Sequence, residues 1–473
     1  MTVTVFGGRA LKSRFIILLG LIGCLAGTQF AAAESLKNAV RNALTSNPSV
    51  LAATSEARAN AYDLLKLQSE YQPTVTLYGR AGAQRLDDPS SLSAADTGDT
   101  LFAREIGLEA EVVLFDGARR ANLVYSNAAR VDGSIFRLLD ASETLALNAT
   151  EVYIDTYRHR RLLDAASRNL RRHQVIGRQV NDLVESGRLP VSDRLQIQDR
   201  IRAAQLVLID MRRSVKDAEA RYKRIIGNPP SSAMSVPGIR VKVGKLQDLL
   251  RVAVENSHRV RIANIEIDRA EYEKKVIEAD RKPRVSLNAG IRRGSDLDGN
   301  RSSETDTFVG VRMNWILHQG GRNARSRAEI ERKHKATSER NVAMREVREL
   351  AERTWNGHAA NSERLQLLSQ QFRINRNLVT QFNSEFEAGT RSLLDVLEAE
   401  RASFDVEFEK VSAEASLTFS AYRLLATQSR LAQHFGVSHA DGVLIPNFED
   451  RAQQSPTSVF KTKIPALDRS DGN

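Results

Sequence analysis

The chain has 473 residues, 27% of them charged and 6% aromatic, with a formal net charge of +11. So few aromatics beside abundant Ala, Leu, Arg and Glu describe long helices better than a compact globule. The basic balance does not mark a nucleic-acid binder, because Arg and Lys alternate with Asp and Glu along helical stretches, as on solvated helix faces.

Three of the cations, Arg9, Lys12 and Arg14, lead into the apolar run Phe15-Ile-Ile-Leu-Leu-Gly-Leu-Ile22, which leaves 11 − 3 = +8 for the rest. Ala31-Ala-Ala33 then offers small residues for cleavage, so residues 1–33 read as a secretory signal peptide and are set apart from the fold. The run is too short for a spanning helix. Cys24, the only cysteine, sits in Leu21-Ile-Gly-Cys24, which also reads as a lipoprotein box. Lipidation at Cys24 and loss with the leader are the alternatives. Cleavage after Ala33 is favoured because a helix begins at once at Ser35. The mature chain then has no partner thiol for an internal disulfide.

Residues 35 to 71 read as helix, broken at Asn47-Pro48. Pro73 opens an alternating run to Arg85, and a polar, turn-rich stretch follows. Residues 105 to 115 alternate again, with Ile106, Leu108, Ala110, Val112 and Leu114 on one face and Glu105, Gly107, Glu109 and Glu111 on the other. Period two over about ten residues predicts a strand. That length and alternation suit a tilted strand of an outer-membrane barrel. A hairpin over a soluble core reads equally well from these residues alone.

Between Gly117 and Leu183 there is no proline, and apolar residues recur every seven. Val124, Val131, Leu138, Leu145 and Val152 interleave with Ala121, Ala128, Ile135 and Ala149, a coiled-coil seam. Gly187 can take the positive φ that ends this helix, with Ser192 or Asp193 to cap the next. That next helix carries Ile197, Ala204, Met211, Ala218 and Ile225 beside Ile201, Leu208, Val215 and Tyr222. About 67 residues of helix make a rod of roughly 100 Å.

After a linker over residues 228–244 the chain repeats itself. Ser35-Leu-Lys-Asn-Ala-Val-Arg-Asn-Ala-Leu44 is echoed by Lys245-Leu-Gln-Asp-Leu-Leu-Arg-Val-Ala-Val254, and Pro73-Thr-Val-Thr-Leu77 by Pro283-Arg-Val-Ser-Leu287. Val309, Val311, Met313, Trp315 and Leu317 alternate as another strand. Leu365, Phe372, Val379 and Phe386 then mark a second long helix. Gly389 and Ser392 repeat the turn and cap, 389 − 187 = 202 residues on. The plan is a first repeat over 34–227, with a β-hairpin near 73–115 and a helical hairpin near 117–226. A second repeat over 245–427 has its β-hairpin near 283–317 and its helical hairpin near 321–426. A C-terminal segment, 428–473, is expected to be partly flexible, loosely so from Glu449.

With that order in place, the chain resembles the TolC family of outer-membrane efflux and export channels. The likeness rests on the doubled helix–strand–strand–long helix–turn–helix order, Ser35-Leu-x-x-Ala39 with Asn47-Pro48, Phe115-Asp-Gly117 and, most specifically, Gly389-Thr-Arg-Ser-Leu-Leu-Asp-Val-Leu-Glu398. It implies a mainly α protein with membrane strands, four per chain, whose homotrimer closes a twelve-stranded barrel in outer-membrane lipid above an α-helical tunnel. Four strands alone cannot close a pore. The resemblance also implies an exit duct for type I secretion proteins or drugs. It would be served by a periplasmic adaptor (membrane fusion protein) and an inner-membrane ABC or RND transporter.

The resemblance further places a gate at the periplasmic tip, with Arg391, Asp395 and Glu398 at gate positions and Asp193 as a partner on the first-repeat hairpin. Asp395 and Glu398, three apart on a helix, share a face. In a trimer they would form carboxylate rings that favour cations. Glu398 stands where aspartate is frequent in the family, and Phe386 where a hydrogen-bonding tyrosine is common. The eight histidines form no ligand cluster, and no phosphate-cradling loop or activated nucleophile is present, so no metal, cofactor or enzymatic activity is expected. The alternatives are a multidrug-efflux channel of the lipoprotein type and a periplasmic coiled-coil scaffold or adaptor. The strand-like runs argue against the scaffold.

Overall fold

A computed structural model describes residues 34–85, 99–236, 244–297, 301–437 and 448–453. The leader with Cys24, most of the turn-rich stretch after Arg85 and part of the linker lie outside them. β1 (Glu34–Ser35) leads into α1 (Leu36–Ser46) and α2 (Pro48–Ser69), followed by β2 (Thr74–Arg85) and β3 (Thr100–Phe115). The 67-residue α3 (Arg119–Glu185) pairs with α4 (Val191–Ile226). After β4 (Met234–Ser235) the order returns as α5 (Leu246–Asn256), α6 (His258–Ala279), β5 (Arg284–Ser295) and β6 (Ser303–Asn314). The 66-residue α7 (Arg322–Glu387), α8 (Leu393–Ala426), α9 (Leu431–His434) and α10 (Phe448–Gln453) complete it.

The expected break at Asn47-Pro48 is present. Asn47 is extended and its side chain accepts from the Ser49 amide at 3.0 Å, with Pro48 opening α2 where no amide is needed. The second repeat breaks at the matching place without a proline. There Ser257 caps α6 by accepting from the Val260 amide, so the cap suffices. The seam of α3 is buried as the seven-residue spacing predicts, including Val124, Val131, Leu138, Leu145, Ala128, Ile135 and Ala149. Among the described residues, α3 packs against α1, α2, α4, α6, α8, α9 and α10, whereas α7 packs chiefly against α5, α6 and α8. The two long rods are therefore alike in length and unlike in surroundings.

The sheet order is β2-β3-β5-β6, antiparallel throughout, and the outer sides of β2 and β6 have no strand partner among the described residues. Burial across it is inverted relative to a soluble hairpin. Leu77, Ile106, Leu108, Val309 and Val311 stand exposed on one face, while Glu105 on the other is only 8% exposed. Arg80 meets that carboxylate at 2.7 Å and the Tyr78 hydroxyl donates to it at 3.2 Å. A sheet that gathers its acids on one face and presents a row of aliphatic side chains on the other is built for lipid. β6 ends at Asn314, so Trp315 and Leu317, read as strand from their alternation, lie beyond it. The Trp315 indole instead donates to the Arg281 carbonyl at 3.1 Å.

Arg120 fastens sheet to rods. Its guanidinium is buried against Asp116, donates to the carbonyls of Glu70 and Val113, and lies 4.5 Å from the centre of the Tyr71 ring. Arg120 thus ties the end of α2, the end of β3 and the start of α3 together.

Of the stretch from Glu449 expected to be loose, the described residues to Gln453 are helical, and the rest lies outside the described residues. Residues 448–453 form α10, and Arg451, 1% exposed, makes a buried ion pair with Asp132 of α3 at 2.7 Å. This short stretch is docked on α3 through Arg451. Upstream, Glu143 of α3 accepts from the amides of Leu431 and Ala432 at 3.0 and 3.1 Å, holding the start of α9. Burial pushes the Glu143 carboxyl up to about 7, against the two amide bonds. A carboxyl raised in the folded state contributes stability at low pH that is lost as pH rises through its folded value. The α9 contact is therefore expected to weaken between pH 5 and 8, by up to about 3 kcal/mol. Protection factors of the Leu431 and Ala432 amides should fall over that range in the wild type and stay flat in Glu143→Gln.

Candidate periplasmic gate

Both rods end in glycine turns farthest from the sheet. Gly187 (φ +73°) and Gly389 (φ +79°) adopt the left-handed conformation expected of them. Past Gly389, the Thr390 amide donates to the Glu385 carbonyl at 2.9 Å. Ser392 then caps α8, accepting from the Asp395 amide at 3.2 Å while its hydroxyl donates to the Asp395 carboxylate at 2.8 Å. The first-repeat turn differs from its expected form. Pro190 occupies the cap of α4 without a side-chain bond, and Asp193 sits in the first turn. The Pro190 ring fixes the entry angle, and its carbonyl accepts from the Asp193 amide at 3.1 Å in place of a side-chain cap.

No Cβ clash exists at Gly389, since nothing lies within 4 Å of where one would stand. Only backbone strain opposes substitution, so Gly389→Ala is expected to destabilise this tip by about 1–2 kcal/mol. Gly389→Asn should cost less. Faster limited proteolysis between Glu387 and Ser392 in the alanine variant is the readout.

The two turns are held side by side by a small apolar core of Ile176, Val180, Ile197, Phe386, Leu393, Val396 and Leu397. Phe386, expected at the gate, is thus a packing residue, 6% exposed in this core. A phenylalanine where a hydroxyl would otherwise stand gives up a hydrogen bond and gains burial.

The charges arrange themselves around that core. Arg391 bonds Glu385 at 2.9 Å, approaches Asp395 at 3.9 Å and lies 4.1 Å from the centre of the Phe382 ring. Hydrogen bonds from Gln381 and Arg391 hold the Glu385 carboxyl below its usual range. Glu398 pairs with Arg200 of α4 at 2.9 Å, linking the second-repeat hairpin to the first. Asp193 has no ion pair among the described residues of its own chain, and Arg391 does not reach it there. The structure therefore brings together Arg391 with Asp395, and Glu398 with Arg200. It leaves Asp193 apart.

Above the tip, the repeats are joined by a ladder that sequence reasoning missed. Arg161 of α3 pairs with Glu414 of α8, Arg168 with Glu407, and Arg172 with Glu400 and Glu407 at 3.3 and 3.7 Å. All the guanidinium groups are on α3 and all the carboxylates on α8. The signal was the spacing: Arg161 and Arg168 lie seven apart, as do Glu407 and Glu414. Burial would raise the Glu414 carboxyl, but hydrogen bonds from Lys410 and Arg161 hold it below its usual value. Its contribution is then present above the unfolded carboxylate range and lost as pH falls through the lowered value. Among the described residues no group of His, Cys, Asp and Glu could hold a metal.

A family model described as "Outer membrane efflux protein" matches residues 39–228 and 249–427. The chain belongs to the outer membrane efflux protein family. Within it, the chain is similar to the outer membrane efflux protein BepC of Brucella suis, 23% identical over 438 residues, which is 91% of this chain and 92% of BepC. It is also similar to the alkaline protease secretion protein AprF of Pseudomonas aeruginosa, 28% identical over 264 residues, about half of each chain. The outer membrane channel CmeC of Campylobacter jejuni shares the fold, with a TM-score of 0.74 at 13% identity over 92% of this chain and 90% of that one. Like the rest of this family, the protein resides in the outer membrane, with its helical rods in the periplasm.

Proposed function

We propose that this outer membrane efflux protein is the exit duct of a tripartite export system, passing secreted proteins or drugs from a periplasm-spanning assembly to the exterior. One observation carries the reading: a four-stranded sheet with an aliphatic outer face and two unpaired edges is joined to helical rods of 67 and 66 residues. Unpaired edges in a membrane must be closed, and the smallest barrels use eight strands. Three copies give twelve, with β6 of one protomer beside β2 of the next. Rods of roughly 100 Å exceed any bilayer and suit a periplasm-crossing tube. A periplasmic adaptor would couple the duct to an inner-membrane ABC or RND transporter, which would supply the energy. The names of BepC and AprF leave both drug and protein cargo within this reading. At the tip, Asp395 and Glu398 are the proposed cation-selective rings, and Arg391 the proposed link to Asp193 of a neighbouring protomer.

The mature protein in detergent should run as a heat-modifiable trimer and conduct ions across a planar lipid bilayer. A monomer that stays soluble without detergent and never conducts would refute the proposal.

A further inference from the structure

On the aliphatic face of the sheet, two side chains within the rows break the pattern. The face reads Val75, Leu77, Gly79, Ala81 and Ala83 on β2 and Phe102, Arg104, Ile106, Leu108, Ala110 and Val112 on β3. It continues with Val285, Leu287, Ala289, Ile291 and Arg293 on β5 and Thr305, Thr307, Val309, Val311 and Met313 on β6. Arg85 closes the β2 row at its end; Arg104 and Arg293 are the charges farther in, and no acid accompanies them. Register puts them together: Arg104 lies opposite Ser295, and Arg293 two residues along from Ser295 on the same strand. Such diagonal neighbours stand about 7 Å apart. Thr305 lies opposite Arg293 across the next ladder, so two hydroxyls flank the two guanidinium groups.

Neither guanidinium has an ion-pair or hydrogen-bond partner among the described residues. On the other face Arg80 and Arg292 are engaged by Glu105 and Asp306, while Arg312, toward the helical end, has no ion pair among the described residues. Height on the barrel decides what the unpaired pair faces. Arg104 lies 114 − 104 = 10 residues above Leu114, at the helix-proximal end of the same strand. Ten residues at about 3.4 Å each, on a strand tilted about 40°, climb roughly 26 Å. That is the height of the apolar band, so Arg104 emerges at the headgroups of the leaflet away from the helices, the external one. Arg293, two residues lower, reaches the same level by extending its stem upward. At the midplane each would be strongly destabilising, and at this height almost neutral.

Resting on the outer-membrane reading above, we infer that Arg104 and Arg293, with Ser295 and Thr305, form a binding site for the phosphate of an outer-leaflet lipid headgroup. Two guanidinium groups converging on one phosphate make charge-assisted, fork-shaped hydrogen bonds. Hydroxyls at Ser295 and Thr305 supply neutral donors to the remaining oxygens. The lipid would fix the rotational setting of the barrel in its leaflet and bridge the hairpins of the two repeats, since β3 belongs to the first and β5 to the second.

The test uses the full mature channel in phosphatidylcholine nanodiscs doped with a bisphosphorylated outer-leaflet glycolipid or its dephosphorylated form. Wild type should retain roughly tenfold more of the phosphorylated form by native mass spectrometry. Arg104→Gln/Arg293→Gln should lose that preference while keeping single-channel conductance. Equal retention of the two glycolipids by wild type, or an unchanged preference in the double variant, overturns the site. Complete displacement by millimolar inorganic phosphate would identify a free-anion site and overturn the lipid assignment. If the wild type itself fails to conduct, the channel reading beneath this inference falls with it.

Discussion

Leu108→Arg is expected to stop the protein from assembling in the outer membrane. Leu108 sits mid-strand on the aliphatic face, 45% exposed, in a row with Leu77 and Ile291. An arginine at that depth costs about 2–4 kcal/mol per copy, or roughly 6–12 kcal/mol in a three-copy barrel. Total stabilities of domains are of the same order. The neighbouring Glu109 points the other way, so Glu109→Gln should fold and insert as wild type. Heat-modifiable migration of membrane fractions separates the outcomes. Normal assembly of Leu108→Arg would mean that this face never meets lipid.

Neutralising the tip is the second large effect. Asp395→Asn with Glu398→Gln keeps side-chain size and the Ser392 cap while removing two charges per protomer, and cation selectivity should fall severalfold in single-channel recordings. Glu398 has a second duty, because its bond to Arg200 ties one hairpin to the other. Arg200→Ala alone should therefore leave the carboxylates in place and raise the open population. Each exposed pair is worth about 0–1 kcal/mol, so three copies shift the balance by up to roughly a hundredfold. Exchanging the pair, Arg200→Glu with Glu398→Arg, should restore closure. Unchanged selectivity in the double neutralisation would remove Asp395 and Glu398 from the conduction path.

Much of this architecture was legible because it is periodic. The heptads of α3, the alternation of β3 and the two glycine turns each follow from a local rule that the chain applies over many residues. What escaped the sequence lies where one residue meets another across a long interval. Rungs such as Arg168 with Glu407 depend on how far the two hairpins slide past each other, which a heptad leaves free. Arg451 belongs to a polar tail with no period, and only the carboxylate of Asp132, presented by α3, makes its burial affordable. Pro190 took the cap expected of Ser192 or Asp193 because a rigid entry competes with a hydrogen-bonded one. For the candidate gate positions named from the resemblance, the contacts were not readable: Arg200 had no motif to announce its bond to Glu398, and Phe386 packs in the tip core.

The middle of the sheet has a consequence for biogenesis. Residues paired between β3 and β5 lie 285 − 115 = 170 to 295 − 104 = 191 positions apart. Closing so wide a loop is slow compared with forming either hairpin. During export the first hairpin must therefore wait, aliphatic side chains bare and both edges open, until more than half of the polypeptide has crossed the inner membrane. Such a segment invites aggregation. A holdase that shields β2 and β3 in transit should matter more for this protein than for barrels whose strands pair in order of synthesis.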